Sequence, residues 1–404
     1  MKGIFVLLVA FAMVFALEAV VPEKEPIFFD NFDNLDKWVV STKPGFTGKW
    51  ENVVPQAPAG YPNDKGLMVA SPARKHAIIA GFPTYNIDLN KDSLIVQYEV
   101  RFQKSHQCGG AYLKITREDI GANFEDKTPY GIMFGPDYCG GNNKVHLILQ
   151  YPVASGGYQE KHLTNPPRIK HDEISHLYTL VLSKNHYKVI IDGSVAKEGK
   201  LSTDFDPAIE LPKTIEDPTD KKPATWDDRK QIPDPEKADA PEDWPVEFIA
   251  DDTEIPEYWD EEEDGEWEAP MMPNPEFVPY TAPLIDNPDY MGEYIVQKIE
   301  NPEYVEVDSA VVGPISGVGI DIWTMQDKIL FDNVLITTHD SDRLLLEDYW
   351  KGKFDIESAA KREKEEADRK IAEEERKQRE AEEALQKEIE EEEVEIDYDF
   401  AEDL

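Results

Sequence analysis

Ile215–Asp228 reads IEDPTDKKPATWDD, Ile232–Pro245 reads IPDPEKADAPEDWP and Ile249–Asp260 reads IADDTEIPEYWD. These segments open seventeen residues apart, and each runs from an Ile through acids and Pro to a Trp: Trp226, Trp244 and Trp259. A second motif follows: GEWEAPMMPNPEF from Gly265, Tyr280 with NPDY at Asn287–Tyr290, and GEYIVQKIENPEY from Gly292. A fixed period of this kind marks stacked or paired units in place of one globular core. Pro and acidic residues recur too often for a helix interior or a central strand. Three units of one kind followed by three of another predict an extended hairpin that reverses near 260–265. The first unit then lies beside the last, and each layer buries its own small cluster. The alternative is a disordered acidic linker, which has no need of an aromatic at every repeat.

On either side of the repeats the pattern changes. Residues 26–205 alternate apolar and polar in short runs broken by Gly, Pro, Asn and Asp, as in SLIVQYEVRF (93–102), KVHLILQY (144–151), HLYTLVLS (176–183) and HYKVIID (186–192). This predicts an antiparallel β-sandwich. A last pair, VGIDIW (318–323) and KILFDNVLIT (328–337), lies beyond the repeats, so the arm reads as an insertion and the sandwich closes after it.

The whole chain, 404 residues, has room for two or three domains. Its 83 acids against 42 bases give a net charge of −41, which argues against nucleic acid and suits a cation-binding or strongly solvated protein. Residues 1–19, Lys2 followed by IFVLLVAFAMVFAL, read as a secretory signal peptide. No other run approaches the length of a transmembrane segment. The two cysteines, Cys108 and Cys139, predict one structural disulfide in a secreted chain. A reactive pair is the alternative, although redox sites more often show Cys-x-x-Cys.

From Arg343 to about Glu388 the composition turns to Glu, Lys, Arg and Ala. Leu345, Tyr349, Trp350, Phe354 and Ile356 form an apolar stripe that predicts a helix docked on the sandwich by its first turns. Beyond Ala360 the pattern is that of a solvated, charge-laced helix, with a coiled coil as the alternative. Residues 388–404 hold ten acids and no Lys or Arg, and the chain ends AEDL.

The repeats resemble the arm, or P-domain, of the calreticulin and calnexin family, lectin chaperones of the endoplasmic reticulum. Three copies of each motif and the absence of a second apolar span resemble the calreticulin type. CGGAYLKI (108–115) and IMFGPDYCG (132–140) resemble the family's Cys-Gly-Gly strand and Phe-Gly-Pro-Asp-x-Cys motif. Ala250 replaces a motif Pro, and Tyr280 and Tyr294 stand where the family has Trp, so the layers of this arm are expected to be less uniform. The resemblance implies a mainly β fold, a legume-lectin-like jelly-roll sandwich (20–211 and 306–342) with an inserted proline-rich hairpin arm (212–305) and a C-terminal charged helix and acidic tail (343–404).

The resemblance also implies a glycan site. Tyr112 and Lys114 are two apart, so on a strand they share a face, and the preceding glycines are expected to leave it open. Aromatic faces pack on the C–H patches of a sugar while Lys and Asp bond its hydroxyls. The family's contacts fall on Tyr112, Lys114, Tyr130, Met133, Asp137, Ile148 and Asp321, with His146 on a strand nearby. Its structural Ca²⁺ site falls on the Asp332 carboxylate, the Asn31 side-chain carbonyl and backbone carbonyls near Asn63 and Lys65, oxygen donors that suit a hard cation. The turn WDEEEDGEW places Glu262, Asp264 and Glu266 beside Trp267, matching the family's docking tip for a protein disulfide isomerase.

The implied function is that of a calcium-binding lectin chaperone. It is monomeric, resides in the endoplasmic-reticulum lumen and holds monoglucosylated N-linked glycans on folding glycoproteins. AEDL departs from the usual retrieval signal, so some escape to the cell surface or secretion is expected. The alternatives are a luminal calcium buffer with weak glycan selectivity and a glycan-independent holdase. No hydrolase, phosphate-loop or zinc-protease spacing is present, and the chain reads as no enzyme.

Overall fold

The computed structural model describes residues 20–402 except 56, 57, 59, 153–155, 171, 257, 258, 305 and 308–310; the side chains of 261, 264 and 388–402 are also outside the description. The expected signal segment (1–19), the Asp264 side chain and the last residues of AEDL therefore lie outside the described residues. The chain falls into two compact units, 1–211 with 303–404, and 212–302.

The first unit is built from two large antiparallel sheets. One runs in the order Ser194–Lys200, His186–Ile191, Ser175–Ser183, Ser93–Phe102, Ile329–Thr337, Gly66–Val69, Trp50–Val53, with Phe28–Asp30 also on Ile329–Thr337. The other runs Phe205–Asp206, Tyr158–Leu163, Asn142–Pro152, Tyr130–Cys139, Cys108–Gly110, Pro314–Thr324, Arg74–Asn86, Trp38–Val40, with Leu113–Thr116 between Tyr130–Cys139 and Pro314–Thr324. The strands that follow the repeats thus lie inside both sheets. Inward residues of the two sheets, among them Leu94, Val96, Tyr98, Ile115, Ile132, Phe134, Leu147, Ile320 and Phe331, form one continuous core. This follows from the period-two alternation, which sends one apolar row of every strand to the same side. Cys108 and Cys139 are register partners on neighbouring strands and are bonded.

The second unit is a hairpin of small layers. Thr214–Glu216 pairs with Lys298–Glu300, Gln231–Pro233 with Leu284–Asp286, and Phe248–Ala250 with Met271–Pro273. Each layer sets a Trp against a second aromatic, edge to face: Trp226 on Tyr294, Trp244 on Tyr280 and Trp259 on Trp267, with centroids 5.2, 5.0 and 4.8 Å apart. Each Trp Nε1 donates across the hairpin, to Gly292 O, Val278 O and Gly265 O. The Asn of each Asn-Pro-acid motif donates through Nδ2 to the opposite strand: Asn274 to Val246 O, Asn287 to Arg229 O, Asn301 to Pro212 O. The tyrosines do not loosen the layers. Their hydroxyls add bonds of their own, Tyr280 to Lys237 O at 2.7 Å and Tyr294 to Asp220.

The C-terminal helix spans Asp340–Glu402. Its docked stripe differs from the expected one. Leu346 and Trp350 are buried, but Ile356 is exposed, and the next two buried positions are Lys353 and Glu357. They meet Glu99 and Arg101, the polar side of Ser93–Phe102, whose apolar side faces the core. Past Lys361 the described side chains are exposed and paired along the helix, as in Glu366–Lys370, Glu373–Lys377 and Arg376–Glu380.

Candidate functional site

The outer face of the second sheet gathers the predicted sugar-binding residues. Ile148 is the register partner of Met133, Met133 of Lys114, and Lys114 of Gly319, so they form one row across four strands. Asp321 lies two residues from Gly319 and therefore on the same face. Tyr130, Met133 and Ile148, with Tyr112 against them, form a cluster of their own outside the main core. Lys114 Nζ donates to Asp321 Oδ2 at 3.0 Å and to Asp126 O at 3.1 Å, and stands 5.1 Å from the Tyr130 ring centre. Tyr130 donates to Glu160 Oε1 at 2.7 Å. Asp137 Oδ2 pairs with His146 Nε2 at 3.1 Å, and the His146 ring meets Tyr112 edge-on.

Two elements of local geometry put Tyr112 there. Tyr98, from the opposite sheet, reaches through to Ala111 O (2.8 Å) and Phe134 O (3.1 Å). Gly135 makes this possible, because a Cβ at its φ of +136° would collide with the Tyr98 hydroxyl. Gly110 lies beneath the Tyr112 ring, which a Cβ would strike. The expectation that the glycines open the face for a ligand is therefore corrected: Gly110 makes room for Tyr112 itself. The face is also less open than expected. Lys114 and Asp321 are 6% and 4% exposed, and Tyr130, Met133 and Ile148 are buried, whereas Tyr112, Asp137 and His146 are partly exposed.

Asp321 Oδ1 is buried and accepts no hydrogen bond from the described residues. Burial pushes the Asp321 carboxyl up to about 6, although the Lys114 charge opposes it. Burial holds the Tyr112 hydroxyl far above its usual range, and holds Tyr130 there together with the Glu160 bond. Both hydroxyls thus stay neutral: Tyr130 spends its one proton on Glu160 and can still accept, while Tyr112 is able to donate. The face offers an unmet acceptor, an ammonium, two neutral hydroxyls and aromatic surface, a set suited to neutral polyols and without a nucleophile poised beside a base.

The residues expected to hold Ca²⁺ are differently engaged. Asp332 and Asn333 stand at a register shift in Ile329–Thr337, between Phe28–Asp30 and Gly66–Val69, which brings the chain at Asn31 and Lys65 to either side of them. Yet Asp332 Oδ2 accepts from Lys353 Nζ at 2.7 Å and Oδ1 from Asn333 N at 2.7 Å. Asn31 Nδ2 turns to Asp33, Lys65 Nζ to Asp33 O, and Asn63 sits in a left-handed turn at φ +62°. With an ammonium on its one carboxylate, this set does not fit a calcium ion. Among the described residues no group of three or more His, Cys, Asp or Glu is arranged to hold a metal.

At the far end of the arm, Glu261–Asp264 forms one helical turn, capped by Asp260 accepting from Glu262 N. Glu262 and Glu266 are exposed there. Trp267 is only partly exposed because its ring packs on Trp259.

Comparison with known proteins agrees with this arrangement. A profile of the Calreticulin family matches residues 28–264 and 265–336. The chain belongs to the calreticulin family. A calnexin homolog of Pisum sativum is 38% identical over 387 residues, 82% of this chain and 69% of that protein. Calnexin homolog 1 of Arabidopsis thaliana is 38% identical over 401 residues, 85% and 74% of the two chains. Human calmegin is 36% identical over 380 residues, 78% and 61%. The globular domain of T. cruzi calreticulin superposes with a TM-score of 0.58 at 23% identity, covering 85% of this chain and all of that one, and so shares the fold. The calreticulin family comprises non-enzymatic lectin chaperones that bind glycoproteins and, in general, calcium, and its calreticulin and calnexin members are endoplasmic-reticulum proteins. No described helix is long and apolar enough to cross a membrane.

Two site residues escaped the sequence. Glu160 comes from a neighbouring strand with no motif around it, and Asp126 contributes a backbone carbonyl that no side-chain pattern announces. His146 was legible, being two residues before Ile148 on an alternating strand.

Proposed function

We propose that this protein binds monoglucosylated N-linked glycans of folding glycoproteins in the endoplasmic-reticulum lumen, on the outer face around Tyr112, Lys114, Tyr130, Met133, Asp137, Ile148 and Asp321. The observation that carries this reading is Asp321 Oδ1, a buried acceptor without a donor beside an ammonium and two tyrosines. A buried unmet acceptor is costly, and a sugar hydroxyl would satisfy it. In this division of labour the sandwich (20–211 and 306–342) holds the glycan. The arm (212–305) carries a protein disulfide isomerase family member at Glu262, Asp264, Glu266 and Trp267. The helix and tail (343–404) bind calcium weakly through the acids of 388–404, as in the buffering alternative, and the protein acts as a monomer.

The test is calorimetry with glucosylated and unglucosylated mannose oligosaccharides. Wild-type protein should bind only the glucosylated sugar. Asp137→Ala should abolish detectable binding, since losing a charged hydrogen bond costs about 1.5–3 kcal/mol, more than tenfold in affinity, and Tyr112→Ala should do so by removing a hydroxyl together with the aromatic surface a sugar packs on. Melting temperature measured alongside separates lost contacts from lost packing, because the Tyr112 ring also packs on Tyr130, Met133 and Ile148. Asp137 lies two residues from Cys139, so its variant needs that control. Lys114→Ala leaves Asp321 buried without its cation and should lower both binding and stability. Equal wild-type affinity for both sugars, or none for either, rejects the lectin reading and favours the calcium buffer.

A further inference from the structure

Lys353 and Glu357 stand one helical turn apart on the C-terminal helix and are 3% and 1% exposed. Glu357 is met by Arg101 Nη1 (3.1 Å), Ser175 N (2.7 Å) and Ser175 Oγ (3.0 Å). Lys353 enters a group of three carboxylates. Its Nζ donates to Asp64 Oδ2 at 2.8 Å and to Asp332 Oδ2 at 2.7 Å, and Glu99 Oε2 lies 2.6 Å away as an ion pair off the hydrogen-bonding direction. The three acids come from the turn before Gly66–Val69, from Ser93–Phe102 and from Ile329–Thr337. Their remaining oxygens are also occupied: Asn333 Nδ2 donates to Glu99 Oε1, Asn333 N to Asp332 Oδ1, and Tyr349 Oη to Asp64 Oδ1. The Tyr349 ring lies 5.9 Å from the ammonium, and the missing Gly60 side chain leaves the space that Lys353 and Glu357 fill.

We propose that Lys353 is an internal counter-cation that takes the place of calcium at the Asp332 set, so that the sandwich is closed there by its own helix and not by a metal ion. A side-chain ammonium reproduces a bound cation here because it brings charge and donors to oxygens from three distant segments at once. It also excludes a divalent ion from the same oxygens by charge and by volume. The Asn31 amide nitrogen and the Lys65 ammonium are both engaged with Asp33. Three buried carboxylates without Lys353 would repel one another, and removing one partner of a buried ionic group is among the most destabilising single changes. Stability of this body therefore depends on the helix through Lys353 and is indifferent to calcium. This inference is independent of the glycan reading.

The test compares full-length wild type, Lys353→Met and Lys353→Met/Asp332→Asn by thermal melting in EGTA and in millimolar CaCl₂. Weak sites in the tail are common to all three, so differences between variants isolate the Asp332 group. Wild type should melt at the same temperature in both buffers. Lys353→Met should melt on the order of 10 °C lower in EGTA, recover in CaCl₂, and lose that recovery when Asp332→Asn is added. A Lys353→Met protein that melts like wild type in EGTA overturns the proposal. So does a calcium-dependent rise in wild type that Asp332→Asn alone removes. If Lys353→Met does not fold, amide hydrogen exchange of wild type across residues 346–357 decides: equal protection in EGTA and CaCl₂ upholds the counter-cation, and a calcium-dependent change rejects it.

Discussion

Asp321 joins two opposite pH trends in one side chain. Its carboxyl is raised from an ordinary 3.8 to about 6, first by burial and against the pull of Lys114, because the folded chain binds that proton more tightly than the unfolded chain does. Its contribution to stability is therefore full below 3.8 and is lost as pH rises through about 6. The proposed sugar binding would run the other way, since the ionised oxygen is the stronger acceptor for a hydroxyl. We expect glycan affinity to fall roughly tenfold between pH 7 and pH 5 as Asp321 takes up its proton. Asp321→Asn should bind weakly at both values and abolish the slope. Calorimetry across this range checks it, and a wild-type affinity unchanged at pH 5 removes Asp321 from the contact set. The residue itself was found through the family motif. Its unmet oxygen could not be read from sequence, because it depends on Lys114 and Tyr130 from two strands and Asp126 from a turn coming together around it.

Elements were the most legible scale, for a physical reason: alternation and repeat period are local properties of the chain. SLIVQYEVRF announces a strand with one apolar side, and the repeated Ile-to-Trp units announce layers that pair first with last. The covering of the polar side was not legible. Glu99 and Arg101 read as solvent-facing until helix residues more than 250 positions away bring Lys353 and Glu357 onto them. The helix stripe was misread for the same reason, since only the apolar residues of an amphipathic helix are expected to be buried. At the arm tip Trp267 holds a layer together as well as facing solvent. Trp267 supports Trp259, so Trp267→Ala would undo the last layer and confuse docking with folding. Glu262→Lys with Glu266→Lys changes only exposed charge. We expect this pair to weaken binding of the isomerase partner at least tenfold, with a shallower salt dependence, and to leave sugar binding intact. Titration of the full-length variant at two salt concentrations checks it; undiminished binding would move the partner off the tip.

For the whole molecule, the net charge of −41 is unevenly placed along the chain, and this distribution determines where calcium can go. In the sandwich and the docked part of the helix many acids are already answered by side chains: Asp332, Glu99 and Asp64 by Lys353, Asp192 and Asp172 by His176, Glu357 by Arg101. Along 361–387 the helix acids alternate with Lys and Arg, and several pairs close one turn apart. Residues 388–404 combine ten acids with no base, and such a run of like charge attracts cations from solution. Carboxylates drawn from a continuous run, without a shaped cage, bind hard cations weakly and in number. Equilibrium dialysis should accordingly find several weak calcium ions on the full-length chain and few on a chain ending at 387. The melting temperature should be unaltered by that truncation, because Lys353 and Glu357 remain. Lys353→Met on the truncated chain should restore one tighter ion, held by Asp332 and its neighbours. A full-length protein that binds a single ion, retained after truncation with Lys353 intact, would contradict both the buffering tail and the internal cation.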